Sequence, residues 1–95
     1  MTIIEVIKNK KQFLSLLLLA DEQENMIDRY LERGTMYVLN DNGVKAECVV
    51  TDECNGILEI KNIATVPEYQ GKGYAKALID FIVRKLQVQV GHPAV

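Results

Sequence analysis

The chain has few of the residues that form disulfide frameworks or metal centres. Its 95 residues include two cysteines, Cys48 and Cys54, and one histidine, His92. Two cysteines are too few for a disulfide framework, and their spacing does not match a metal site, so we interpret both as free thiols of a reducing cytosol. No histidine lies near Cys48 to act as its base, which favours a core position over a nucleophile. His92 falls in a predicted tail, where neither catalysis nor metal binding is expected.

The chain also lacks a basic excess and a long apolar run. Its net charge is −2 and its pI about 5.3, and the lysines are scattered, so nucleic acid is not expected as a partner. The apolar run at 13–20 is shorter than the roughly 20 residues that cross a bilayer, so it predicts a buried helix. The first residues have neither the basic start nor the cleavable apolar core of a signal peptide. We therefore expect a cytoplasmic protein without a membrane partner.

What the chain does contain is typical of a small soluble domain. Apolar residues make up 48% and charged residues 25% of the sequence, near the averages for globular proteins. Residues 1–95 are predicted to form a single domain.

The first half of the chain predicts a strand, two helices and a hairpin. A capping pair, Asp21 with Glu24, is expected to open the second helix and Gly34 to end it. The turn at 41–43 reads Asp-Asn-Gly, which favours a hairpin. In the second hairpin strand, two sets of side chains alternate: Val44, Ala46, Cys48 and Val50 with Lys45, Glu47, Val49 and Thr51. The predicted elements are strand 2–7, helices 13–20 and 21–34, and strands 35–40 and 44–51.

A further strand is predicted at 56–66, from its aliphatic and β-branched residues between a glycine and a proline. Leu58 and Ile60 share one face of it. Continuing that parity would turn Asn62 inward and Ile63 outward, so the apolar pattern changes phase near Asn62. A β-bulge at this point explains the change.

Glycines separate this strand from an amphipathic helix predicted at 71–86. Gly71 and Gly73 remove side chains where backbone N–H groups open the helix, and Lys72 adds a full positive charge. An unpaired helix N-terminus offers donors and a partial positive charge to an anion. The junction therefore predicts a phosphate site.

The spacing of this loop decides which phosphate site it is. A Walker loop fails because Gly71-Lys72 is followed by Gly73 rather than Ser or Thr, and a dinucleotide fingerprint fails because its third glycine would fall at Lys76. The pattern Gln-x-x-Gly-x-Ala is met by Gln70, Gly73 and Ala75. It resembles the pyrophosphate loop of the GNAT superfamily of acetyl-CoA-dependent N-acetyltransferases. The order of elements resembles that family over residues 2 to about 87.

The resemblance implies an α/β (α+β) fold, with a mixed, mostly antiparallel sheet flanked by helices in the order β-α-α-β-β-β-α. It also implies acetyl-CoA as cosubstrate. In the family, the bulged strand splays from its neighbour and the pantetheine arm pairs with the freed backbone. Lys76 is interpreted as solvated rather than as a phosphate ligand. Carried over by position, the cofactor-binding residues are Ile63, Ala64, Thr65, Gln70, Gly71, Lys72, Gly73, Tyr74 and Ala75, of which Tyr74 is also expected to pack in the core.

The resemblance also suggests a catalytic group. Glu59 lies eleven residues before Gln70, the separation at which several histone-type members place their general base. A carboxylate there would take the proton of the attacking amine, directly or through water. A solvated position on the strand is the alternative for Glu59. A backbone N–H of Ala64 or Thr65 is expected to meet the oxyanion.

The predicted function is transfer of an acetyl group from acetyl-CoA to a primary amine, with a small molecule favoured over a protein. Of the family's later strands only a stub of the fifth is expected, at 87–90, and no tyrosine after Tyr74 matches the one that usually protonates the leaving thiolate. Relative to the family the chain is thus truncated at its C-terminus, as a natural truncation or fragment or as a half that a second copy completes. Two function classes follow: an acetyltransferase that is assembled from an oligomer or merely slow, or an acyl-CoA-binding remnant or interaction module without turnover. An exposed sheet edge predicts a homo-oligomer, paired through the edge at 63–66 or the tail at 88–95.

Overall fold

A five-stranded sheet carries helices on both faces in the computed structural model, which describes residues 1–54, 56–86 and 89–91. The predicted order β-α-α-β-β-β-α is confirmed, with a short fifth strand added. Turns of 3₁₀ helix at Lys10–Phe13 and Pro67–Tyr69 precede α1 and the glycine loop. The regular elements are β1 (Thr2–Val6), α1 (Leu14–Ala20), α2 (Glu24–Asp28), β2 (Thr35–Asn40), β3 (Val44–Asp52), β4 (Ile57–Thr65), α3 (Tyr74–Leu86) and β5 (Gln89–Gly91).

The strands follow one another across the sheet in the order β1-β2-β3-β4-β5. The first four are antiparallel, and β5 runs parallel to β4 over three pairs, from Ile57 with Gln89 to Glu59 with Gly91. The mixed, mostly antiparallel sheet and the stub of a fifth strand are thus confirmed. The rest of the predicted tail, including His92, lies outside the described residues.

Each face of the sheet has its own apolar core. On one face, α3 packs Leu78 and Ile82 against side chains of β2, β3 and β4, among them Cys48 and Ile60. On the other face, α1 and the segment around α2 bury Leu17 and Ile27 against the sheet. β3 is therefore covered on both sides. None of the helices in the described part of the chain has the length and hydropathy needed to cross a bilayer.

Two predicted helix starts differ from the structure. α2 begins after Gln23, and the Asp21 carboxylate makes no cap for it, because its oxygens accept from Gln23 N–H at 3.4 Å and from the Tyr30 hydroxyl at 3.2 Å. α2 also ends at Asp28, and turns carry the chain to Gly34. α3 begins at Tyr74 rather than at Gly71, because both glycines of the loop have positive φ and cannot continue a helix.

A buried lysine fixes the turns after α2. Lys10 is 7% exposed, and its Nζ donates to the carbonyl oxygens of Leu31 at 2.8 Å and Gly34 at 2.7 Å. Carbonyl acceptors satisfy the ammonium group without a carboxylate. The turns at 29–34 are thereby held against the start of α1.

Candidate functional site

The predicted bulge lies in the middle of β4. Val49 pairs with Asn62 and Val50 with Ile60, so Lys61 is the extra residue. The phase of the strand changes there as predicted, since Ile60 and Ile63 both pack towards α3. The strand is thereby divided into a part before Lys61, which pairs with β5, and a part after it.

Asn62 anchors the bulge to the helices on the opposite face. It is 2% exposed, and its Nδ2 donates to the carbonyl oxygen of Leu17 and to the hydroxyl of Tyr30, each at 3.0 Å. Burial raises the pKa of Tyr30 to about 12, so the hydroxyl stays protonated and donates to Asp21. In the sequence, Asn62 indicates only the phase change of the strand. A polar residue within an apolar strand was the available signal for this network.

After the bulge, β4 has an open backbone edge. Its pairing with β5 ends at Glu59, and no described strand lies beside residues 61–65 on that side. Val66 N–H donates to the Lys45 carbonyl at 2.8 Å, so by the alternation of antiparallel pairing Ala64 also faces β3. The polar backbone groups of Ile63 and Thr65 then face the open edge. Gln70 Nε2 already lies 3.4 Å from the Thr65 carbonyl oxygen there.

The glycine loop continues from this edge to the start of α3. Gly71 and Gly73 have φ of +80° and +85°, and a Cβ built on either would meet nothing within 4 Å. Their missing side chains leave open space in front of the backbone. The first intrahelical bond runs from Ala77 N–H to the Gly73 carbonyl at 3.0 Å, so the N–H groups of 74–76 have no acceptor within the helix.

The strand edge and the loop line one groove of about 290 Å³. Of the nine cofactor-binding residues predicted from the sequence, eight line the groove. The ninth, Lys72, lies beside the groove, with its Nζ 5.6 Å from the centroid of the Tyr69 ring. Lys45 lies over the same ring at 4.1 Å and was missed, because its strand is distant in sequence. The groove residues are Leu19, Ile63, Ala64, Thr65, Tyr69, Gln70, Gly71, Gly73, Tyr74, Ala75 and Lys76.

Two side chains at the start of α3 are engaged within the protein. The Tyr74 hydroxyl donates to Asp41 at 2.7 Å, which raises the pKa of Tyr74 and ties the helix to the β2–β3 turn. Its ring packs against the core on the α3 face, as expected. Lys76 pairs with Asp80 at 2.8 Å and is largely exposed, which agrees with its interpretation as a solvated residue.

Glu59, the tenth predicted site residue, lies before the bulge. Its Oε1 accepts from Lys61 Nζ at 2.9 Å, and both side chains are about three-quarters buried. Both line a second cavity, of about 520 Å³, whose other walls come from α2 and the turn after it. The structure therefore places Glu59 beside the groove, on the same strand, rather than within it.

Two titratable side chains of β3 are buried. Cys48 lies in the core as expected, and burial raises the pKa of its thiol to about 12, which disfavours a thiolate nucleophile. Glu47, next to it in the strand, is 0% exposed, and neither of its carboxylate oxygens has a hydrogen-bond partner among the residues that the structure describes. Burial raises the pKa of Glu47 to about 8.

The groove suits an elongated anionic ligand with amide groups. Open N–H groups and Lys72 stand at one end, where phosphate would bind, and an unpaired strand edge at the other can pair with amides. Among the described residues, no cluster of three or more His, Cys, Asp and Glu could hold a metal ion.

Comparisons with known proteins agree with this geometry. The family model for the acetyltransferase (GNAT) domain matches residues 32–93. The chain is 34% identical to the IAA acetyltransferase from Bacillus cereus ATCC 14579, with a TM-score of 0.78, covering 90% of this chain and 59% of that one. It is 30% identical to a GNAT acetyltransferase from Elizabethkingia anophelis with acetyl-CoA bound, with a TM-score of 0.81, covering 90% and 57%.

An acetyltransferase from Bacillus subtilis in complex with CoA is also 30% identical, with a TM-score of 0.79 and the same two coverages, 90% and 57%. The chain thus spans less than two thirds of the length of these three relatives. No curated protein sequence matches the chain at a significant level.

Proposed function

The chain belongs to the GNAT family of acetyltransferases, and we propose that it transfers an acetyl group from acetyl-CoA to a primary amine. The observation that carries the proposal is the continuous groove formed by the open edge of β4 and the glycine loop. Relatives with acetyl-CoA and with CoA bound support the choice of cosubstrate. Acetyl-CoA supplies the activated thioester. The residues of the site hold the cosubstrate, accept the proton of the amine and stabilise the oxyanion.

The loop holds the pyrophosphate in this proposal. N–H groups at 71–76 donate to its oxygens, and Lys72 adds charge. The outward backbone groups of Ile63 and Thr65 pair with the amides of the pantetheine arm, as in strand addition. Ala64 contributes its small side chain to the wall of the groove, since its N–H faces β3.

Transfer then requires an uncharged amine close to the thioester carbonyl. The amine nitrogen forms a bond to the carbonyl carbon, and the N–H proton passes to Glu59, directly or through water. A backbone N–H at the open edge, with Thr65 favoured over Ala64 by the pairing register, donates to the oxyanion. Collapse of the intermediate breaks the C–S bond, and the CoA thiolate leaves and takes up a proton from solvent.

The acceptor side lies across the bulge from the groove. Glu59 belongs to β4, and its side chain lines the second cavity. An amine bound in that cavity would therefore approach β4 from the α2 side. A cavity of this size favours a small-molecule amine over a protein side chain. A cytosolic location remains part of the proposal, consistent with the free thiols of Cys48 and Cys54.

Release of free CoA thiol in the presence of a panel of amines tests the proposal. Binding of acetyl-CoA by calorimetry is measured beside it. Thiol release above the hydrolysis background, together with the acetylated amine, supports transfer. Binding of acetyl-CoA without release for any amine would instead assign the chain as an acyl-CoA-binding module, and absence of binding would reject both.

A further inference from the structure

The second cavity has a charge that the transfer reaction itself does not require. Its walls are Met26, Arg29, Tyr30, Arg33, Glu59 and Lys61, so three cationic side chains face one carboxylate in a chain of net charge −2. Lys61 is already paired with Glu59 at 2.9 Å. The two arginines therefore carry the excess positive charge of the cavity.

The described residues give the two arginines only one ion pair, a long one between Arg33 and Glu53. In the described part of the chain Arg29 has no carboxylate partner, and its Nη1 lies 3.8 Å from the sulfur of Met26. Arg33 lies 3.7 Å from Glu53, and Glu53 also accepts from the Thr51 hydroxyl at 2.6 Å. Two guanidinium groups with free N–H donors can bind an anion in a bidentate way.

The backbone holds these arginines in place. Arg33 Nε donates to the carbonyl oxygen of Arg29 at 3.3 Å. The two arginines therefore lie on adjacent turns of the segment that follows α2. Lys10 Nζ also holds that segment in place, because it donates to the carbonyl oxygens of Leu31 and Gly34. Tyr30, between the arginines, is bonded to Asn62 beside the bulge. The cationic wall thus has a defined position relative to β4.

From this geometry we propose that the acceptor is an amine that carries an anionic group, a carboxylate or a phosphate, and that Arg29 and Arg33 bind this group. The inference rests on the proposed function, because it assigns the second cavity to the acceptor. The anion lies against the arginines on the α2 side, and the amine lies towards Glu59 and the edge of β4. Arg29 and Arg33 determine specificity in this arrangement, and Glu59 remains the proton acceptor.

Kinetics with matched acceptors give the first test. Each of several α-amino acids is compared with its own amide, and ethanolamine with phosphoethanolamine. We expect kcat/KM to be at least about tenfold higher for the anionic member of the preferred pair, and Arg29→Gln to remove most of that difference. Arg29→Lys should retain only part of it. Arg84 is an exposed arginine on α3, so Arg84→Gln is the matched control and should leave kcat/KM unchanged for both acceptors of the pair.

Binding of products tests the cavity without turnover. Methyl-labelled methionine places one probe, Met26, on the cavity wall and another, Met36, within the core as an internal reference. N-Acetylalanine or N-acetyl-O-phosphoethanolamine should shift the Met26 signal, and N-acetylalaninamide should do so about tenfold more weakly; the stronger of the two anions identifies the group. Arg29→Gln should weaken the anion's binding to the level of the amide.

Equal binding of the anions and the amide, or anion binding unchanged in Arg29→Gln, would overturn the inference. Efficient transfer to neutral amines alone would also overturn it while leaving the proposed transfer intact. Conversely, anion binding at Met26 with no thiol release for any amine would reject the transfer reaction and still identify an anion site.

Discussion

Asn62 and Tyr30 share a buried hydrogen bond of 3.0 Å that joins the bulge of β4 to the turn after α2. Asn62 also donates to the Leu17 carbonyl, so one side chain fixes the strand to two helical segments. The bulge is where β4 stops pairing with β5 and its backbone becomes available. The bond therefore links the packing of the α1 side to the shape of the groove.

Asn62→Leu should destabilise the protein by about 2 kcal/mol, since it removes two buried hydrogen bonds, one to Tyr30 and one to the Leu17 carbonyl, which then keeps only the Asp21 N–H at 3.2 Å. Tyr30→Phe should cost only about 1 kcal/mol, because Asn62 keeps its bond to Leu17. Urea unfolding of both variants and of the double variant measures the coupling. Strict additivity of the two losses would show that the bond contributes nothing of its own.

Gly73→Asp should abolish most acetyl-CoA binding, because it places a carboxylate where the pyrophosphate is proposed to lie. Gly73→Asn is the matched control, since it has nearly the same shape, tolerates the positive φ and carries no charge. We expect the dissociation constant of the Asp variant to exceed that of the Asn variant by at least about tenfold, or about 1.4 kcal/mol. Calorimetry on both proteins, with circular dichroism to verify folding, gives the comparison. An Asp variant that binds like the parent would remove the cofactor assignment.

The parts of this structure that the sequence predicted are those governed by local rules. The Asp41-Asn42-Gly43 turn is one example, with φ of +57° at Asn42 and +104° at Gly43, values that these two residue types adopt readily. The glycine loop is another, since two closely spaced glycines before an amphipathic helix have few structural roles. The phase change near Asn62 was also visible as a break in the alternation.

What could not be predicted depends on contacts between distant segments. The burial of Glu47 is one example, because it alternates with core residues along β3 while α1 and α2 cover its face too. Alternation cannot reveal a strand that is buried on both sides. Asp21 has the spacing of a helix cap, but its carboxylate instead accepts a hydrogen bond from the Tyr30 hydroxyl. The cationic cavity combines Arg29 with Lys61, which are 32 positions apart.

Glu59→Gln should lower the rate of acetyl transfer by about a hundredfold, a common contribution of a positioned base, with little change in acetyl-CoA affinity. The substitution also removes the charge that pairs with Lys61, so Lys61→Gln is measured beside it to separate loss of the pair from loss of the base. Glu5→Gln, on the opposite edge of the sheet, is the control. If Glu59→Gln retains both the rate and the pH–rate profile of the parent, Glu59 is not the proton acceptor.

The open edge of β4 should lead the protein to form a homodimer or a higher oligomer at micromolar concentration. Unpaired strand edges pair readily with other chains, and Leu19, which is 52% exposed, borders the same groove. The alternative contact is the tail at 88–95, which lies mostly outside the described residues. Light scattering with and without acetyl-CoA distinguishes the two, because the cosubstrate should compete for the edge at 63–66 and leave a tail contact unchanged. A monomer at all concentrations would rule out both.

Glu47 should make the protein less stable as the pH rises from about 4.5 to about 8. Burial raises the pKa of Glu47 from its ordinary value of 4.5 to about 8, so within this window the folded chain holds a proton that the unfolded chain has lost. The free energy of unfolding therefore falls with pH, by up to about 1.4 kcal/mol per unit for this group, and levels off above pH 8.

Glu47→Gln keeps the shape without the ionisation and should remove this slope, so that the variant is more stable than the parent at pH 8 and less pH-dependent. Urea unfolding between pH 5 and 9 measures it, with the exposed Glu22→Gln as control. Parallel pH curves for Glu47→Gln and the parent would mean that Glu47 ionises in the folded protein as it does in the unfolded chain.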